Sequence, residues 1–239
     1  MDYPLNMEND TFFRKNGVIK LRSIFIVFFI FEMVLSAIIS AIPYSNPGLV
    51  AQLQSEQGTA ASLGLVGTIF YIFPHNLLIA TIEMIPLFGQ FFFVLSMVET
   101  SLILSASAAS ANVSGLISFL ILLILPDSLI ELPSYAISSA NSVYLLYILI
   151  RHTTLLRAKI RKVLYMYLFT VLELFIAGTF ESVILEMEKT LPSPSSILYS
   201  LLLWIAAVPA IYVLIRLFRR INSDEYGPSA GDMPDLAGI

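Results

Sequence analysis

Apolar residues along this chain come in runs of about 20, the length an α-helix needs to cross a hydrocarbon core of roughly 30 Å. The runs Ile24 to Ile42, Leu63 to Ile85, Leu87 to Ala108, Ser128 to Ile150, Val163 to Leu185 and Ile197 to Phe218 each predict one span. A further run, Gly115 to Leu125, is too short to cross and stops at Pro126-Asp127-Ser128. At about 1.5 Å per residue it reaches halfway, so it predicts a half-helix that enters the bilayer, breaks and continues as the next helix. Pro43 to Ser62, with Asn46-Pro47-Gly48 and Glu56, is expected to be an exterior loop of low apolar content, and Leu191-Pro192-Ser193-Pro194 a turn. The expected fold is all-α, a polytopic helical membrane protein of about six transmembrane helices with broken segments near Pro86 and Pro126. Residues 1–22 precede the membrane domain, residues 23–218 form it, and residues 219–239 make a Gly-, Pro-, Ser- and acid-containing tail expected to be disordered.

Charge strengthens this picture. From Ser23 to Ile150 the chain has no Lys or Arg, although Glu32, Glu56, Glu83, Glu99, Asp127 and Glu131 lie there. A water-facing surface needs charges of both signs, so such a gap fits a chain surrounded by lipid and neighbouring helices. Hydrophobic residues make up 57% and charged ones 13%, with a mean hydropathy of +0.84, where a soluble chain has about half and about a quarter. Of the basic residues, only Lys189 stands outside three clusters: Arg14, Lys15, Lys20 and Arg22; Arg151, Arg157, Lys159, Arg161 and Lys162; Arg216, Arg219 and Arg220. The positive-inside rule makes all three cytoplasmic, which puts both termini inside the cell membrane. An acidic leader (Asp2, Glu8, Asp10) precedes a first span too long for a signal-peptide core, so that span is expected to stay uncleaved. With no cysteine, disulfides, thiolate metal sites and cysteine nucleophiles are excluded.

An ionisable group in mid-span costs about 2.5 to 3.5 kcal/mol on insertion scales, so each acid needs a proton, a hydrogen-bond partner, a cation or trapped water. A structural polar network is the plainer reading. Asn76, Glu83 and Gln90 recur every seven residues and share a face if the helix continues through Pro86. Pro86 frees the carbonyl of Ile82, which beside Glu83 offers a site for a cation or for a neighbouring side chain. His75 reads as a helix-end or interfacial histidine, and no metal or other cofactor is expected. Around Pro126, the residues Asp127, Glu131 and Tyr135 follow at four-residue spacing, with Ser138 and Ser142 on nearly the same face. The two acids would share a proton or bind a cation, or Ser128-Leu129-Ile130-Glu131 forms a capping box, the simpler reading. Pro133 kinks or delays that helix. Glu173, Ala177 and Glu181 share a face, with Gly178 allowing close helix approach, and Ser105 to Ala111 is a small-residue run suited to tight packing. No catalytic residue emerges from any of these.

Asn76-Leu-Leu-Ile-Ala-Thr-Ile-Glu83-Met-Ile-Pro86-Leu-Phe-Gly89, Leu125-Pro126-Asp127-Ser128-Leu129-Ile130-Glu131-Leu132 and Ile176-Ala177-Gly178-Thr179-Phe180-Glu181 resemble the stage II sporulation protein M family, nearer to its archaeal branch. Bacterial members have Pro-His-Gly followed by Glu, where Asp127 and Ser128 replace His and Gly here, while Pro126 and Glu131 stand. The family's namesake is a membrane scaffold for cell-wall hydrolases, so the resemblance implies a multispan membrane protein with a structural or assembly role.

Two functions compete. A non-catalytic scaffold or assembly factor uses the basic loop Arg151 to Lys162 to dock a cytosolic or membrane partner, or pairs with a second copy of the chain. A proton- or cation-coupled carrier or channel uses the intramembrane acids beside the two Pro-broken segments. A water-filled cavity at those acids favours transport, and a dry, hydrogen-bonded interior favours the scaffold. An enzyme is not expected, because His-Glu-x-x-His, Gly-x-Ser-x-Gly and Walker motifs are missing. The bilayer is the expected environment, and nucleic acid is not an expected partner.

Overall fold

The computed structural model describes residues 11–191 and 195–226. The expected acidic leader, the Pro192–Pro194 part of the turn and the tail from residue 227 lie outside them. The elements are a hairpin of β1 (Arg14–Lys15) and β2 (Val18–Ile19), then α1 (Leu21–Ala41), α2 (Pro47–Ser62), α3 (Gly64–Glu83), α4 (Phe88–Ser110), α5 (Gly115–Leu122), α6 (Pro126–Arg151), α7 (Leu156–Thr190), α8 (Ser195–Ser200), α9 (Trp204–Ile221) and α10 (Ser223–Tyr226). Asn16 and Gly17 take φ of 50° and 75°, the left-handed pair that a two-residue hairpin requires.

Burial runs opposite to that of a soluble bundle. On α1 the buried residues include Glu32, Ser36 and Ser40, four apart on one face, while Ile30, Phe31, Val34 and Ile38 are exposed. A helix oriented this way is stable only with lipid against its apolar face. The helices α1, α3, α4 and α7 and the longer helical stretch Leu198–Ile221 that ends in α9 are each long and apolar enough to cross a membrane, and α5 with α6 makes a sixth candidate. The chain is a multi-pass membrane protein.

Six candidate crossings match the sequence pattern, and α6 shows why its own apolar signal is weak. It packs against α1, α3, α4, α7 and α9 at the centre of the bundle. Its buried face therefore carries Ser134, Ser138, Ser139, Asn141 and Ser142 rather than lipid-facing side chains. At about 1.5 Å per residue its 26 residues are roughly 39 Å long, enough to cross alone. The expected half-helix exists as α5, but it meets α6 at 93° and adds nothing to its length.

Two expectations are corrected. Residues 47–62, read as part of a loop, form α2, because Asn46 is an N-cap rather than a turn residue: its Oδ1 accepts from Gly48 N at 3.0 Å and Leu49 N at 3.2 Å, with Pro47 in the first turn. The tail is ordered from residue 219 to 226, since α9 runs to Ile221 and α10 follows.

The basic clusters gather at one end of the bundle, held by two acids of α10. Lys20, at the N-cap of α1, supplies no side-chain cap. Glu225 does so instead, its Oε1 accepting from Leu21 N at 2.7 Å and its Oε2 from Arg22 N at 3.1 Å. Lys162 Nζ meets Glu225 at 2.5 Å and Asp224 at 2.8 Å, and Lys159 Nζ meets Asp224 at 2.8 Å. At the other end Ser105 Oγ donates to Ile42 O at 2.6 Å, and Trp204 Nε1 donates to Ile124 O at 2.9 Å in the α5–α6 break.

Partial burial would raise the Asp224 carboxyl, but hydrogen bonds and charge from Lys159 and Lys162 outweigh it and hold it below 3.8. The stabilisation from Asp224 is then fully present above about pH 4 and is lost as pH falls through the depressed folded value. The protection factors of the α10 amides, exchange corrected for its intrinsic dependence on hydroxide, are expected to stay flat from neutral pH down to about 4 and to fall only below it. A loss of protection between pH 7 and 5 would contradict this assignment.

Candidate functional site

Four helices bring polar side chains to one cavity of about 190 Å³ inside the bundle. The helix α1 supplies Glu32 and Ser36, α3 supplies His75, Asn76 and Glu83, α4 supplies Ser96 and Thr100, and α6 supplies Glu131 and Tyr135. Each set is built by four- or seven-residue spacing, which returns a helix to the same face. Among the described residues no Lys or Arg lines the cavity. Glu83 is fully buried, with Oε1 accepting from Ser96 Oγ at 3.0 Å and Oε2 without a partner. Glu32 is 3% exposed and its Oε2 is also unpartnered. Glu131 Oε1 accepts from Tyr135 Oη at 2.8 Å, one helical turn away. A cavity of this size has room for several waters, which such carboxyl oxygens need.

The turn from α3 to α4 shapes the cavity. Leu87 takes φ 70° and ψ −52°, a strained γ-type conformation, and Gly89 N donates to Ile85 O at 2.7 Å. This folds α4 back so closely that a Cβ on Gly89 would stand 1.9 Å from Glu83 O. Ser96 thereby comes within reach of Glu83. The carbonyl of Ile82, expected to be freed by Pro86, accepts from Ile85 N at 3.0 Å and so is satisfied within the turn.

Among the candidate site residues, Asn76, Glu83, Glu131 and Tyr135 meet at this cavity, joined by His75 and Glu32, while Pro86, Gln90, Pro126, Asp127, Glu173 and Glu181 do not line it. Gln90 leaves the expected face because the helix stops at Glu83; its Nε2 donates to Ser142 Oγ at 2.9 Å, joining α4 to α6. Pro126 opens α6, with no side-chain cap on its N-terminus, so the capping box of Ser128 and Glu131 is not formed and Glu131 is free to bond Tyr135. Asp127, one turn nearer the helix start, is buried with Oδ1 unpartnered and lies off the cavity wall. Pro133 is carried within α6 without ending it.

Glu173 and Glu181, expected to share a face, line different spaces. Glu173 faces an apolar groove beside α9, whereas Glu181 joins Glu56, Gln57, Tyr71, His75 and Asn76 around a second cavity of about 260 Å³. His75 and Asn76 line both cavities, so they stand between the carboxylate site and the second cavity under α2. Gly178 does allow close approach, for its Cβ position lies 3.5 Å from Phe73 N on α3.

Besides the candidates, the cavity takes in Glu32, one of the mid-span acids, with Ser36, Ser96 and Thr100, which no motif marks. Their signal was present, since each pair sits four apart within an apolar run. What could not be seen was which helix faces they would meet.

Neither a curated protein nor a solved structure matches the chain. The sequence model of the stage II sporulation protein M family matches residues 24–184, a stretch that holds every wall of the carboxylate cavity, and the chain therefore belongs to that family.

Proposed function

We propose that this membrane protein takes up and releases protons at the Glu32, Glu83 and Glu131 cavity, as a proton-coupled carrier or channel. The observation that carries this reading is the convergence of three carboxyls from three helices on one polar cavity that no Lys or Arg among the described residues lines, with an oxygen of Glu32 and of Glu83 left unbonded. Buried acids are expensive in a membrane interior and are retained chiefly where they move or hold charge. A proton suits the site better than a metal ion, because no group of three or more His, Asp or Glu among the described residues is placed to hold one. Tyr135 and Ser96 orient Glu131 and Glu83, and His75 and Asn76 connect the site with the cavity that holds Glu56 and Glu181. With the basic end and both termini cytoplasmic in the cell membrane, that second cavity opens toward the exterior.

Purified protein in liposomes loaded with a pH-sensitive dye should discharge an imposed proton gradient. Glu83→Gln and Glu131→Gln should each fall to near the rate of empty vesicles, while Gln90→Ala, off the cavity, should keep most of the parental rate. A parent protein with no flux under either polarity removes the proposal.

An assembly role is the second reading. It is favoured by membership of a family whose namesake is a scaffold and by the exposed Arg151, Arg157 and Arg161 at the basic end. Crosslinking in membranes followed by mass spectrometry should then return a reproducible partner at 151–162, and a lone monomer would argue against it.

A further inference from the structure

We infer that the groove between α1, α6, α7 and α9 holds an acyl chain of an anionic phospholipid from the leaflet at the basic end, with the phosphate between Arg22 and Arg219. The groove encloses about 530 Å³, within the range of ligand sites. Its walls are chiefly apolar, with Phe25, Ile130, Ile137, Phe169, Leu214 and Phe218 contributed by all four helices. Arg22, Arg219 and Tyr226 close its mouth.

Charge complementarity selects the occupant. The acids of the basic end are already engaged, since Asp224 and Glu225 pair with Lys159 and Lys162. Arg22 and Arg219 make no ion pair among the described residues. The Arg22 guanidinium is nevertheless held in place, 4.4 Å over the Tyr226 ring, with its own backbone N–H anchored on Glu225. The held guanidinium of Arg22, with the exposed Arg219 lining the same groove, matches a phosphate above an acyl chain. A docking peptide would instead need to satisfy its backbone polar groups against an apolar wall. Glu173, buried on that wall with Oε2 unpartnered, would lie beside the chain without bonding it.

Native mass spectrometry of the full chain, with phosphatidylglycerol and phosphatidylcholine of identical acyl chains, tests this. The parent should retain one phosphatidylglycerol in preference to phosphatidylcholine. Arg22→Ala with Arg219→Ala should weaken that retention roughly tenfold or more, as expected for two lost basic contacts. Arg157→Ala, exposed at the same end but off the groove, should retain lipid as the parent does. Glu173→Leu should also keep the lipid. Equal retention of the two lipids by the parent, parental retention by the double variant, or loss in Glu173→Leu would each overturn the assignment. Monodisperse elution of every variant separates lost binding from failure to fold.

Discussion

Gly89→Ala is expected to destabilise the protein by about 3 kcal/mol or more and to disturb the carboxylate cavity at the same time. The added Cβ would stand 1.9 Å from Glu83 O and 2.5 Å from Glu83 C, both backbone atoms that cannot move without shifting the end of α3. Because Ser96 follows on α4, pushing that helix away also breaks the 3.0 Å bond from Ser96 Oγ to Glu83. Gly115→Ala is the comparison. Its Cβ would stand 2.1 Å from Ser40 O, a similar clash at a place away from the cavity. Both variants should melt earlier in detergent, but only Gly89→Ala should lose proton flux out of proportion to its folded fraction. At Leu87, 72% exposed and strained by its positive φ, substitution by Gly should have the opposite sign, stabilising by up to about 1 kcal/mol. A Gly89→Ala protein that melts with the parent would show that the turn is looser than described.

Lys162→Ala should cost about 3 to 5 kcal/mol, the usual result of stripping one partner from a buried ion pair. Lys162 and Glu225 have side chains only 8% and 5% exposed, so the carboxylate left behind would have little water to replace the ammonium. It would retain the backbone donors of Leu21 and Arg22, but these alone do not neutralise it. Combining Lys162→Met with Glu225→Gln should recover part of the loss, because the amide oxygen can still cap α1 and no charge is stranded. Thermal unfolding of the single and double variants checks both. If Lys162→Ala unfolded like the parent, α10 would not be holding α1 and α7 together.

Much of the fold was legible because a membrane makes composition decisive. An apolar run long enough to span must be helical to satisfy its own backbone, so α1, α3, α4, α7 and α9 are visible without any partner. The basic clusters likewise announce a common end, and Lys20, Arg22, Lys159, Lys162 and Arg219 do assemble there with Asp224 and Glu225. Where signals were ambiguous, the local reading failed. Asn46-Pro47-Gly48 suits both a turn and a helix start, and Ser128 to Glu131 suits a cap that α6 does not use. In both places a short-range hydrogen bond made the choice, to Asn46 Oδ1 from Gly48 N and Leu49 N and to Glu131 Oε1 from Tyr135 Oη.

Hydropathy and charge are enough to mark a helical multi-pass membrane protein with acids in its interior, because both act residue by residue and need no knowledge of neighbours. Which acids meet depends on how the helices pack. Glu32, Glu83 and Glu131 converge on one cavity while Asp127, Glu173 and Gln90 are turned elsewhere, since helix rotation and the tight α3–α4 turn are set by packing among faces that lie far apart in the chain.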